Sequence, residues 1–204
     1  MPDPDVFLTP AALAAAEPPK TKGSRFLGEV SPASSEAEAL AHVGAVRQRE
    51  HTATHVAWAY RLGPSGGAVR WNDDGEPGGS AGAPILREIE GRGLTDCVVT
   101  VTRYYGGTKL GVGGLGRAYG EAAGLALDAA PVRERTVRVP VRLRFAFADT
   151  AGAMRLLDVF DAEVAEQRYS PEGTDLHLRV RRSQADALRA AFVEATLGRG
   201  EVVA

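Results

Sequence analysis

In Val137-Arg138-Val139-Pro140-Val141-Arg142-Leu143-Arg144-Phe145 an apolar residue stands at every second position. A period of two over nine residues fits only an extended strand with one buried face. It opens a series of predicted elements: a strand over 137–147, a helix over 150–161, strands over 163–169 and 175–180, a helix over 184–197 and a strand over 201–203. Asp149 and Ser183 read as the N-caps of the two helices, with Asp186 completing a box-like spacing at the second. Strand, helix, strand, strand, helix, strand is the ferredoxin-like order.

The strand at 137–147 turns Val137, Val139, Val141, Leu143 and Phe145 to a core and leaves Arg138, Arg142 and Arg144 on its other face. The strand at 175–180 likewise buries Leu176, Leu178 and Val180 and presents His177, Arg179 and Arg181. In the ferredoxin-like order these two strands are central neighbours. Like charges facing each other across strands are destabilising, so an anion is expected on this face. Glu163 and Glu166, or the acidic first domain, would answer it from inside; a phosphate would answer it from outside. No aromatic residue is read onto this face, so base stacking is not expected there.

Ahead of this series the pattern is less regular, and 204 residues suit two modest domains, placed at 1–135 and 136–204. The first contains a strand over 24–30 and a helix opened by the capping box Ser35-Glu36-Ala37-Glu38 and running to about residue 49. A hairpin over 55–62 and 68–72, a helix over 80–89 and an apolar strand over 96–104 follow. A small-residue helix over 115–129, suited to close packing, and a connector over 131–135 complete it. The fold class is α+β.

Two glycine-dense stretches punctuate the first domain: 72–84, with Asp73, Asp74 and Glu76, and 103–119, with Arg103, Lys109 and Arg117. Glycine at this density signals positive φ angles or close approach. Gly111, Gly113 and Gly116 match G-x-G-x-x-G, but they lie well past the strand end and lack the acidic partner of a dinucleotide site. Lys109 precedes the next glycine, unlike the lysine of a phosphate loop. A glycine-rich turn at a helix N-terminus nevertheless leaves free N–H groups, which makes Gly106, Gly107, Gly113 and Gly114, with Arg103, Lys109 and Arg117, a candidate anion or nucleic-acid site. In the competing reading Asp73, Asp74 and Glu76 pair with those bases and tie two loops together.

Other chemistries find little support. The acidic trio suits Mg²⁺ only as well as it suits an ordinary Asp-Gly turn. His51 and His55 are separated by the start of a strand, which breaks zinc-ligand geometry. Ser80 lacks a nucleophile elbow. Cys97, the only cysteine, reads as a buried thiol. No metal, cofactor or catalytic residue is assigned. A net charge of −2 advertises no polyanion partner for the whole molecule. No apolar run reaches the roughly 18 residues of a membrane span, and the acidic, proline-broken start lacks the form of a secretory signal, so a cytoplasmic location is expected.

Asp73-Asp74-Gly75-Glu76-Pro77-Gly78-Gly79-Ser80-Ala81-Gly82 together with Arg103-Tyr104-Tyr105-Gly106-Gly107-Thr108-Lys109-Leu110-Gly111 resembles the signature of the IMPACT (YigZ-type) family. Ser24-Arg25-Phe26-Leu27 and His55 with 58–63 support the resemblance, which covers roughly residues 20–130; the remainder agrees in layout. It implies a first domain like the second domain of a small-subunit ribosomal protein. The second would be a ferredoxin-like domain resembling the last domain of elongation factor G. It further implies a non-catalytic, RNA- or ribosome-associated role in regulation of translation, with no DNA sequence specificity. The alternative is an enzyme or sensor that takes a phosphorylated small molecule or nucleotide at the glycine-rich loop. Val56 and Ala57 stand where the family carries a polar residue and often a cysteine.

Overall fold

The computed structural model describes residues 3–203, a mixed α/β protein with several sheets and, among these residues, five α-helices. The chain divides into two compact units, Phe7–Arg135 and a second built from 136–204 and 1–6.

The first unit contains β1 (Val6–Pro10, whose first residue is counted with the second unit), β2 (Ala14–Ala16), β3 (Arg25–Pro32), α1 (Glu36–Arg49), β4 (His55–Leu62) and β5 (Ala68–Asn72). These are followed by α2 (Gly82–Gly91), β6 (Cys97–Tyr104), α3 (Val112–Ala129) and β7 (Val132–Thr136, whose last residue is counted with the second unit). Five strands form one antiparallel sheet in the order β2-β3-β6-β4-β5. One face packs Phe26, Ala57, Ala59, Val99 and Val101 against Ile85 and Ile89 of α2 and Tyr119, Ala122 and Ala126 of α3. The other packs Trp58, Tyr60 and Val98 under Ala39 and Val43 of α1. Burial on both faces is why β6 reads as an unbroken apolar run instead of an alternating one.

The glycines of α3 face α2. Methyl groups built at Gly116 and Gly120 would stand 3.7 Å from Pro84 and 3.4 Å from Glu88, and one at Gly124 would crowd Glu88 at 3.1 Å. The closest approach is to β3, where a Cβ on Gly28 would lie 2.1 Å from the carbonyl oxygen of Ala122. At α1, the Ser35 hydroxyl accepts from the Glu38 N–H at 3.2 Å, while the Glu38 carboxylate returns to the Ser34 N–H at 2.7 Å, one residue before the one a capping box would serve.

Two sequence expectations change here. Helix α3 begins at Val112, ahead of the predicted 115, because glycines of low helix propensity are held in its first turn. The connector at 131–135 is strand β7, paired with β1 in a separate two-stranded ladder. Both strands are only five residues long and β7 is largely exposed, so no periodicity announced them.

The second unit contains β8 (Arg138–Phe145), α4 (Thr150–Val159), β9 (Glu163–Ser170), β10 (Gly173–Arg181), α5 (Ala185–Ala195) and β11 (Glu201–Val203). The sheet order is β11-β8-β10-β9, with antiparallel pairing throughout. Val141, Leu143, Phe145, Leu176, Leu178 and Val180 form its core with Leu157, Leu188 and Phe192. β11 covers only Arg142–Arg144 of β8, so one side of β8 is open at Pro140, which suits a residue without an N–H.

Asp149 stands at the N-cap position of α4 but its side chain makes no capping bond, and the N-cap of α5 is Gln184, not the predicted Ser183. Short 3₁₀ turns, Phe147–Asp149 and Arg182–Gln184, lead into α4 and α5 instead. Asp149 pairs with Arg199 at 2.5 Å, and the Ser183 hydroxyl donates to Asp5 at 2.6 Å. The Ser183 N–H also donates to Asp5, at 3.0 Å. These bonds draw the segment before Phe7, which the sequence reading grouped with residues 1–135, into the second unit.

Candidate anion-binding surface

The acidic loop is spent on its own architecture. Asp73 accepts N–H bonds from Gly79 at 2.8 Å, Ala81 at 2.9 Å and Gly82 at 2.8 Å, closing the loop and serving the first amides of α2. Burial pushes against its ionisation, but the three amides outweigh it and hold the carboxyl below its ordinary range. Asp74 pairs with Arg47 and accepts from the Val56 N–H at 2.7 Å, and its carbonyl accepts from His55 Nδ1 at 2.6 Å. Glu76 Oε1 accepts from Arg103 at 2.6 Å and from the Tyr119 hydroxyl at 2.8 Å. Burial first, and then this bond to Glu76, push the Tyr119 hydroxyl far above its usual range. With both oxygens of Asp73 and Asp74 engaged, the trio offers no open carboxylate set. Among the described residues no group of three or more His, Cys, Asp or Glu side chains is placed to hold a metal ion.

Arg103 therefore takes the internal role. It is buried, it sits over the rings of Phe26 and Tyr105 at 5.6 and 5.4 Å, and Glu76 neutralises it. Gly106 is also an internal requirement: a Cβ there would lie 1.9 Å from the Gly23 carbonyl carbon, and its N–H donates to Ser24 Oγ at 3.1 Å. Gly107, exposed at φ +88°, meets nothing.

Lys109 and Arg117 behave differently. Both are exposed and neither forms an ion pair among the described residues; the same holds for Lys22 and Arg87, which the sequence reading missed. A cleft of about 640 Å³ between the starts of α2 and α3 is lined by Ser80, Arg87, Gly113 and Arg117, and also by the carboxylates Glu88 and Glu121. A second, of about 240 Å³, is lined by Lys22, Gly114 and Arg117, again with Glu121. Glu88 is already paired with Arg92 at 2.7 Å. The N-cap of α3, Gly111, has no side chain to offer, and the N–H groups of Val112, Gly113 and Gly114 find no acceptor among the described residues. Positive charge and unused donors thus converge at the start of α3. No spacing rule signals Lys22 or Arg87, because only packing brings them there: α2 beside α3 for Arg87, and the turn before β3 against the loop at Gly106 for Lys22.

The arginine-bearing face of the second unit is largely answered from within. Arg142 and Arg144 share Asp175 at 2.5 and 3.0 Å, and Arg144 also reaches Glu201 at 3.6 Å. Arg138 pairs with Asp161 at 2.8 Å and Glu163 at 3.1 Å, and Arg181 pairs with Asp3 at 2.5 Å. Arg179 alone of the five has no ion pair among the described residues. The second unit does carry an aromatic pair, Phe147 and Tyr169, stacked at 6.4 Å and largely exposed, but Tyr169 pairs with Thr174 and so turns to the sheet side opposite the arginines.

The Arg142 guanidinium holds the Asp175 carboxyl well below the usual carboxylate range against the opposing effect of burial, and Arg144 assists. A carboxyl depressed in the folded state contributes stability above its unfolded pKa, near ~3.9, and loses it as pH falls toward the folded value. Asp175→Asn is therefore expected to destabilise the second unit at neutral pH by an amount that shrinks as pH falls below about 4. Urea titrations of both proteins at several pH values check this, and a difference independent of pH would refute it.

Residues 22–127 match the model of the Impact N-terminal domain. An "IMPACT family member in pol 5'region" of Thermus thermophilus is 48% identical over 157 residues, covering 77% of this chain and 84% of that protein. The IMPACT family members YvyE of Bacillus subtilis and YigZ of Escherichia coli are each 33% identical, covering 88% and 72% of this chain and 82% and 74% of their own lengths. A crystal structure described as that of a hypothetical protein superposes with a TM-score of 0.71 at 28% identity, over 98% of this chain and 97% of the other.

Proposed function

This chain belongs to the IMPACT family, and from that premise we propose that it is a non-catalytic binding protein engaging RNA or a ribosome-associated partner in the regulation of translation. It acts in the cytoplasm. Its first unit is like the second domain of a small-subunit ribosomal protein, and its second is a ferredoxin-like domain resembling the last domain of elongation factor G. The observation that carries the reading is the set of cations around the start of α3, Lys22, Arg87, Lys109 and Arg117, which no carboxylate of the described residues answers. A structural role for these side chains would show as ion pairs, as it does for Arg103. Glu76 already neutralises Arg103, and carboxylates answer all but Arg179 of the second unit's face, so the phosphate contacts are assigned to the first unit.

Filter binding of single-stranded RNA over a salt series tests the proposal. Affinity is expected to fall steeply with salt. Replacing Lys22, Lys109 and Arg117 together by Ala is expected to reduce the log–log slope by roughly 0.7 per contact removed. Binding that ignores salt, or a slope unchanged in the triple variant, would sink it. The second reading, a sensor or enzyme for a phosphorylated small molecule, has one observation in its favour: the 640 Å³ cleft falls within the ~300–1,000 Å³ range of small-molecule sites.

A further inference from the structure

We infer that the first turn of α3 is a seat for a single phosphoryl group, held by the amides of Val112, Gly113 and Gly114, the guanidinium groups of Arg117 and Arg87, and the hydroxyl of Ser80. The inference deepens the reading above and rests on the same positive surface, but it assigns a discrete pocket with its own stoichiometry.

The two helices bordering the cleft make the argument by contrast. Helix α2 starts without a side-chain cap of its own, and the chain supplies an anion from elsewhere: the Asp73 carboxylate, bonded to Ala81 and Gly82. Helix α3 is longer, at 18 residues, and its first amides have no such carboxylate. A helix start with free amides and flanking cations favours an anion, and neither Glu88 nor Glu121, the carboxylates that also line the cleft, bonds to these amides. Ser80 gives an independent sign. It is 1% exposed, it lines the same cleft, and its Oγ has no hydrogen-bond partner. A buried hydroxyl left unpaired is costly, and a phosphoryl oxygen in the cleft would supply the missing partner. Gly113 gives a third. Packing forbids a side chain at Gly28 or Gly106, but a Cβ at Gly113 would meet only Arg117 Nη1, at an unstrained 3.7 Å. The position is open on the protein side and lies on the cleft wall, where a bare backbone lets an oxygen approach the amides.

Titration calorimetry with inorganic phosphate on the full chain tests the seat, with 5′-phosphorylated and 5′-hydroxyl RNA oligonucleotides of one sequence as further ligands. Wild type is expected to bind phosphate saturably at one site. Gly113→Ala should weaken this by about tenfold or more, yet melt no lower than wild type, because alanine favours the helix. Arg117→Ala should weaken it comparably, and Ser80→Ala by about threefold to tenfold, as for one hydrogen bond lost. Tighter binding of the 5′-phosphorylated RNA would identify an RNA end as the source of the group; equal binding of both RNAs beside saturable phosphate would identify a free phosphoester. RNA binding without saturable phosphate binding overturns the seat and leaves the RNA reading standing. Saturable phosphate binding without RNA binding does the reverse. A Gly113→Ala protein that binds phosphate as tightly as wild type overturns the seat outright.

Discussion

Gly28→Ala is expected to destabilise the first unit by about 3–5 kcal/mol, at the upper end of single-substitution effects. The added methyl would stand 2.1 Å from the Ala122 carbonyl oxygen and 2.7 Å from its carbon. Both are backbone atoms of a helix packed on the sheet, so no rotamer change relieves the overlap; β3 and α3 must separate, opening the core around Phe26, Tyr119 and Ala126. Trp58 and Trp71, the only two tryptophans, both lie in the first unit, so urea unfolding followed by tryptophan fluorescence reports on it selectively. Gly44→Ala is the control: it sits in α1 with nothing within 4 Å of the new methyl, and should stabilise by up to about 1 kcal/mol. A Gly28→Ala protein that unfolds at the wild-type urea concentration would disprove the close approach.

These two glycines show what a sequence discloses and what it withholds. Each stands alone, outside the glycine-dense stretches, so nothing local announces the close approach: Gly28 and Ala122 are adjacent only through the pairing of β3 with β6 and the packing of α3 above them. The second unit was far more legible. Its alternation is local, and Val141, Leu143, Phe145, Leu176, Leu178 and Val180 are buried as a period of two requires. The answer to its arginines was partly legible as well. Asp175 stands two residues before His177 and so shares its face, and Glu163 pairs with Arg138. Asp3 and Asp161 come from outside the strand pattern and carry no such signal. At the candidate site, Arg103 looked equivalent to Lys109 and Arg117 because all three flank one glycine run. Strand β6 turns Arg103 inward, toward a carboxylate on another loop, whereas Lys109 and Arg117 stay exposed.

Removing that carboxylate should damage the fold of the signature loops severely. Glu76→Ala is expected to cost about 3–5 kcal/mol, the range for breaking a buried pair from one side. The side chains of Glu76 and Arg103 are 4% and 6% exposed, so the guanidinium cannot recover hydration once its partner is gone. The loss is compounded because Glu76 Oε1 also accepts from the Tyr119 hydroxyl, and because Arg103 Nε has no partner, leaving the guanidinium only a long 3.4 Å bond to Ser24 Oγ and the rings of Phe26 and Tyr105. Glu76→Gln keeps an acceptor for Tyr119 while removing the charge, and so separates the two contributions. If the pair acts as a unit, Arg103→Met should cost less in the Glu76→Gln background than in wild type, with a coupling energy of at least about 1 kcal/mol. Additive effects, or a Glu76→Ala cost below about 1 kcal/mol in urea unfolding, would show that the pair is already solvated. The expected result would assign Glu76 and Arg103 to holding the two glycine-dense loops together, leaving ligand binding to Lys22, Arg87, Lys109 and Arg117 around the start of α3.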